Sequence, residues 1–246
     1  MQNRGSAGHT IQREVCFMDD RTQSQEDILD CGSVVTQGRD AIHCLTIVGQ
    51  IEGHQLLSSQ SKTTKYEHVL PLLASIEESP EIHGLLILLN TAGGDVEAGL
   101  AIAELIAGME KPTVSLVLGG GHSIGVPLAV AAKKCFIAPT ASMTLHPVRM
   151  NGTVLGVPQI SAYFGRIQDS IVDFIAANSR VSPHKLRELM QRNGQLMGEV
   201  GSLVYGPEAV ELGLCDSLGG LHDALSCLHR MIADKRKEDG AHEPTA

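Results

Sequence analysis

The sequence predicts an α/β protein, a parallel sheet covered by helices. A short continuous apolar run, 84–89 (GLLILL), has the form of a strand buried on both faces, and 113–118 (TVSLVL) reads as another apolar strand. A glycine-rich turn follows each run, then a segment with apolar residues at helical spacing, so a strand–helix unit recurs. The composition suits such a core: 43% of the 246 residues are hydrophobic and only 3% aromatic, so Leu, Ile, Val and Ala must do the packing.

Residues 1–40 carry scattered charges with Ser, Gln and Gly, and read as a mobile arm. The main domain is expected over 41–230. Residues 42–48 (IHCLTIV) form the first strand candidate, and 65–79 a helix with Val69, Leu72, Leu73 and Ile76 on one face. After the strand at 84–89 comes a turn, 90–95 (NTAGGD), then a helix over 96–109 with Leu100, Ala103, Ile106 and Ala107 together; Lys111-Pro112 stops it. After the strand at 113–118 comes GGGHSIG, then an Ala-rich helix to about Ala132. Short strands are expected at 135–138 and 142–146, and an extended excursion at 151–157. A long helix over 158–178 carries Ile160, Tyr163, Phe164, Ile167, Ile171, Phe174 and Ile175 at helical spacing. A short helix over 182–191 begins with Ser182 as N-cap and Pro183 at the first helical position. From Asp234 the chain reads as a charged, frayed tail, so 231–246 is set apart from the domain.

Charge and cysteine usage narrow the function. Nineteen basic against 28 acidic residues give a net charge of −9, which with so few aromatics argues against nucleic-acid binding. The six cysteines (Cys16, Cys31, Cys44, Cys135, Cys215, Cys227) make no CxxC pair and read as reduced thiols of a cytoplasmic protein, with no zinc site. The first 30 residues have no apolar stretch of the kind a signal peptide needs. No charge falls within 112–132, long enough to span a bilayer, but its Gly-rich polar centre suits a turn between buried elements, and no integral membrane segment is expected.

The chemistry concentrates at Ser123, in Gly121-His-Ser-Ile-Gly125 between a strand and a helix. Acyl transfer needs a nucleophile with a base beside it and fixed donors where oxyanion charge develops. The glycines permit a sharp turn that exposes the hydroxyl, and the helix start leaves unpaired N–H groups beside it, that of Ile124 among them. Gly93-Gly94 closes the preceding strand, and in a parallel sheet both turns share the carboxyl edge, so Gly94 N–H can face Ser123. A serine between glycines at a strand end is also a common plain turn. For the base, His122 adjoins Ser123 but side chains diverge at a turn, so it lines the site or packs. His146, 23 residues on, ends a strand that can return to the same edge; a histidine there is also a frequent structural residue. His43, His68, His83 and His184 stand in surface-like contexts.

Five ordered blocks then resemble the Clp protease proteolytic subunit (ClpP) family of serine peptidases, with its TepA-type, translocation-enhancing branch nearest: 62–71 (KTTKYEHVLP), 84–106, 111–127, 143–149 (MTLHPVR) and 201–221. The resemblance spans about 42–225 and implies the ClpP/crotonase-like fold, with repeated β-β-α and βα units and a protruding handle made by 150–178. It implies Ser123 as nucleophile, His146 as general base, and an oxyanion hole from the N–H groups of Gly94 and Ile124. The family's third triad member is an Asp; this chain has Glu199 at the corresponding place, or Gly201 by an alignment shifted two residues, with Asp169 and Asp173 as weaker substitutes. The resemblance further implies peptide or unfolded-protein substrates, no cofactor, and a homo-oligomeric ring, heptameric or doubled. The first 40 residues match no gating segment of that family, which argues against docking to an AAA+ unfoldase.

Other readings stand beside this one. An α/β-hydrolase esterase also uses GHSIG, but its Ser, Asp, His order would need Asp216 with His229 or His242. An acyl-thioester-binding relative leaves Ser123 unexplained. A catalytically impaired ClpP-like subunit acting through assembly is consistent with Glu in place of Asp. A Ser–Lys dyad through Lys133 or Lys134 puts the base at the far end of the following helix, about 15 Å away.

Overall fold

A computed structural model of the chain describes residues 33–149, 157–192 and 200–241. Nine strands form one sheet: β1 (Ser33–Gln37), β2 (Ala41–Glu52), β3 (Thr63–Lys65), β4 (Gly84–Gly94), β5 (Thr113–His122), β6 (Lys134–Ile137), β7 (Ser142–Leu145), β8 (Ser202–Tyr205) and β9 (Ser217–Leu218). The main path runs β1-β2-β4-β5-β6-β9. From β2 to β9 along this path every pairing is parallel, because helices cross back between the strands. The helices of the described residues are α1 (Tyr66–Glu78), α2 (Val96–Gly108), α3 (Gly125–Val130), α4 (Val157–Ala177), α5 (Pro183–Gln191), α6 (Gly206–Leu212) and α7 (Leu221–Ala241).

Alternation along the strands makes two cores. Leu45, Ile47, Leu85, Ile87, Leu89 and Val117 point to one face and pack under α1, α2, α3 and α4 through Leu73, Ile102, Ile106, Leu128 and Val172. Ile42, Leu86, Val114, Leu116 and Phe136 point to the other, covered by Ala224, Cys227, Leu228 and Ile232 of α7. A strand buried on both faces reads as an unbroken apolar run, so 84–89 was recognisable; 113–118 is interrupted by Ser115, whose buried hydroxyl donates to Ala129 O.

Several boundaries differ from the sequence reading. β1 lies within the segment read as an arm, and pairs antiparallel with β2 from Ser33↔Leu45 to Gln37↔Ala41. The segment 90–95, read as a turn, instead continues β4 to Gly94, because Thr91, Gly93 and Gly94 still pair with neighbouring strands across a register shift. β5 likewise runs on through GGGH. It forks: Val114–Val117 pair with β6, and Gly120–His122 pair with β7. α3 ends at Val130, short of the expected Ala132. Ser182 caps α5 as expected, accepting from Lys185 N at 3.2 Å. His43, read as surface-like, is buried at 5% exposure. Residues 151–156, the core of the expected excursion, lie outside the described residues.

The polar tail reading also gives way, since α7 continues through 231–241. Its charged stretch is tied to the sheet. Asp40, 3% exposed, accepts from His229 Nδ1 at 2.5 Å and from Arg236 Nη1 at 2.7 Å. Burial raises the pKa of this carboxyl, but the hydrogen bonds from His229 and Arg236 outweigh it and hold the group below its ordinary value. A carboxyl lowered in the folded state stabilises it above the unfolded pKa, and that contribution disappears as pH falls through the folded value. Asp40→Asn is therefore expected to cost about 2 kcal/mol at neutral pH. Its melting temperature should change less than that of the wild type as pH is lowered below about 4. Equal acid sensitivity of the two proteins in thermal melts would refute the role of this carboxylate.

Candidate active site

Ser123 stands where β5 ends and α3 begins. It has φ 57°, the one positive value at a non-glycine position among the described residues. That region is costly for any residue with a Cβ, so the surrounding contacts must hold it. They do so from two sides. Ser123 N donates to Thr144 O on β7 at 2.9 Å, and Val126 N donates to Ser123 O at 3.0 Å to start the helix. From β4, Gly93 (φ 91°) presses so close that a Cβ there would lie 2.7 Å from Ser123 Cβ. From α2, a Cβ at Gly99 would lie 2.4 Å from Ile124 Cγ1. The glycine-rich turns are thus demanded by close approach of three elements around one serine.

The β4 end is set independently. Thr91 Oγ1 donates to Gly49 O at 2.6 Å and accepts from Gly93 N at 3.1 Å, while Asp95 N donates to Ile51 O at 3.0 Å. Asp95 then caps α2, accepting from Ala98 N at 2.9 Å. Thr91 and Thr144 thus position the site, and the sequence reading named neither. The signal available for Thr144 was its place on β7, two residues before His146, which follows the end of that strand.

Gly94, Ser123, Ile124 and His146 line one cavity of about 150 Å³. Its walls are largely apolar, from Val96, Val126, Ile171, Ile175 and Met190, with Arg149 at its edge. The topology places the four at one edge: the two parallel strands β4 and β5 finish there, and β7 returns the chain to it just before His146. His146 Nδ1 donates to Pro147 O at 2.7 Å. That bond puts the proton on Nδ1 and leaves the Nε2 lone pair available, the tautomer a general base requires. Among the described residues no hydrogen bond joins Ser123 Oγ to His146.

His122 turns away. Its Nδ1 is hydrogen-bonded to Thr144 Oγ1 at 2.8 Å, and burial lowers its pKa, favouring the neutral ring. Glu199 lies outside the described residues. Asp169 is paired with Arg187 at 2.8 Å and is absent from the cavity wall, as is Asp173. The late pair that an esterase order would need is occupied elsewhere: Asp216 binds Lys134 and Arg180, and His229 binds Asp40, while His242 lies outside the described residues. Lys133 Nζ reaches Glu110 O, and neither Lys133 nor Lys134 lines the cavity, which removes the Ser–Lys reading.

No helix among the described residues is long and apolar enough to cross a membrane. The family model for Clp protease matches residues 39–220. The chain is 56% identical over 191 residues to the translocation-enhancing protein TepA of Halalkalibacterium halodurans, covering 78% of this chain and 75% of that one. It is 25% identical over 158 residues to the ATP-dependent Clp protease proteolytic subunit of Streptococcus agalactiae, covering 61% of this chain and 80% of that one. A mutant of ClpP1 from Listeria monocytogenes is similar in fold, with TM-score 0.58 and 20% identity, over 74% of this chain and 94% of the other.

Proposed function

The chain belongs to the Clp protease family, and on that premise we propose that it is a serine peptidase with Ser123 as nucleophile and His146 as general base. The observation that carries this reading is Ser123 itself: a strained residue at the head of β5, opening into the cavity that His146 also lines. Ser123 Oγ attacks the peptide carbonyl as His146 Nε2 takes its proton. The N–H groups of Gly94 and Ile124 receive the oxyanion, an acyl-enzyme forms, and water completes hydrolysis. Glu199 is the third member: in the working site its carboxylate accepts the hydrogen bond that His146 Nδ1–H gives to Pro147 O in this structure, and it stabilises the imidazolium without taking the proton. The apolar walls favour an aliphatic side chain next to the scissile bond. The substrates are peptides or unfolded proteins, processed in the cytoplasm by a ring of identical subunits. The similarity to a translocation-enhancing protein supports reading this turnover as linked to protein export.

One observation favours a second reading, a non-hydrolytic assembly subunit: Ser123 and His146 share a cavity without a hydrogen bond, and Nδ1 is held by a carbonyl instead of a carboxylate. A fluorophosphonate probe separates the two. Labelling mapped to Ser123 in the assembled protein supports the peptidase. Intact assemblies, sized by native mass spectrometry, that take no label support the assembly subunit. His122→Asn should label within a few-fold of wild type, whereas His146→Ala should lose labelling by about 10³-fold or more. The reverse pattern would make His122 the base.

A further inference from the structure

Cys135 on β6 and Cys215, just before β9, are 80 residues apart in sequence, and their Sγ atoms are 2.9 Å apart. We propose that this pair is an oxidation site, forming a reversible intramolecular disulfide that staples β6 to the β9 edge of the sheet. Neither thiol belongs to the active-site cavity.

The geometry favours pairing of these two cysteines over any other chemistry for them. A disulfide bond is about 2.05 Å long, so the sulfurs need to approach by only about 0.9 Å. The segments that carry them are already hydrogen-bonded: Asp216 N donates to Cys135 O at 2.8 Å, and Cys135 N donates to Asp216 Oδ2 at 2.9 Å. Asp216 is held in turn by Lys134 at 3.3 Å and Arg180 at 3.1 Å, which fixes the approach. Both side chains are buried, at 3% and 1% exposure, which excludes bulky oxidants. Cys215 is nevertheless among the residues lining a groove of about 300 Å³ with Arg180, Lys133 and Asp216, from which a small peroxide needs only a local opening to meet the buried sulfur. The Cys135 thiol beside it and its own burial raise the Cys215 pKa, so the thiolate is scarce at neutral pH and oxidation is faster in alkaline solution.

With hydrogen peroxide as oxidant the chemistry balances in two steps. One thiol gives up its proton and attacks a peroxide oxygen as the thiolate, the O–O bond breaks, and the departing hydroxide takes up a proton, leaving a sulfenic acid and one water. The second thiol attacks the sulfenic sulfur, the S–O bond breaks, and the disulfide and a second water result. Two S–H bonds are lost and two electrons pass to the peroxide.

The test uses the full chain. It is exposed to hydrogen peroxide at about pH 9, quenched in acid, alkylated under denaturing conditions and mapped by mass spectrometry. The expected product is a Cys135–Cys215 cross-linked peptide, lighter by two hydrogens than its reduced components and restored by dithiothreitol. The closed loop should raise the melting midpoint by roughly 5–10 °C, and Cys135→Ala and Cys215→Ala should each abolish that rise. Recovery of both cysteines as free alkylated thiols overturns the proposal. So does their recovery as sulfinic acids, or a bridge from either to a different cysteine. The wild-type map decides even if the variants fail to fold.

Discussion

Under the proposed mechanism, Ser123→Ala should lower peptide hydrolysis at least about 10³-fold while leaving the melting temperature nearly unchanged. The two halves of this expectation have separate causes. Removing Oγ deletes the proposed nucleophile, and no other described serine lines the cavity. The fold is spared because the backbone bonds at the turn, Ser123 N to Thr144 O and Val126 N to Ser123 O, do not involve the side chain. Ser123→Gly sharpens the point. At φ 57° glycine carries no Cβ penalty, so this variant should melt no lower than Ser123→Ala while being equally inactive. Turnover surviving in either variant, measured on a fluorogenic peptide, would remove Ser123 from the mechanism.

Gly93→Ala should destabilise the protein by about 2–4 kcal/mol, a fall in melting temperature of roughly 5–15 °C, and should lose probe labelling as well. Gly93 has φ 91°, and the added Cβ would meet Ser123 Cβ at 2.7 Å and His122 O at 2.8 Å. Neither contact can rotate away, since one is a backbone carbonyl and the other a β-carbon fixed by the turn. The strain would therefore be released by moving Ser123. Gly108→Ala, where nothing lies within 4 Å, is the control, and should be neutral or slightly stabilising at the end of α2. Similar melts for the two variants would mean that the β4 end is more compliant than its packing implies.

The sequence exposed the parts of this fold whose stability is written in side-chain pattern. The run Leu85–Leu89 is apolar at every position because helices cover both faces of β4. β1 was hidden because its place rests on backbone pairing with β2 more than on any apolar signature of SVVTQ. α7 was hidden for the opposite reason: Ala224, Cys227, Leu228 and Ile232 do follow helical spacing, but the charges from Asp234 onward obscured them. At the site, glycine spacing located the turns that carry Ser123 and Gly94, while the strand end at His146 left its role open and only the family resemblance assigned it. The hydroxyls of Thr91 and Thr144 were not, since their partners are set by the register between β2 and β4 and between β5 and β7. The cysteine pair escaped for a similar reason, because spacing rules inspect neighbours and these two meet across 80 residues.

The clamp at Asp40 has a consequence for synthesis. Its partners His229 and Arg236 lie 189 and 196 residues further along. A ribosome delivers the strands before α7, the helix that shields Ile42, Leu86, Val114 and Leu116. A nascent chain stalled near residue 220 therefore leaves these apolar side chains of its sheet uncovered, open to chaperones or to aggregation until α7 emerges and closes over them.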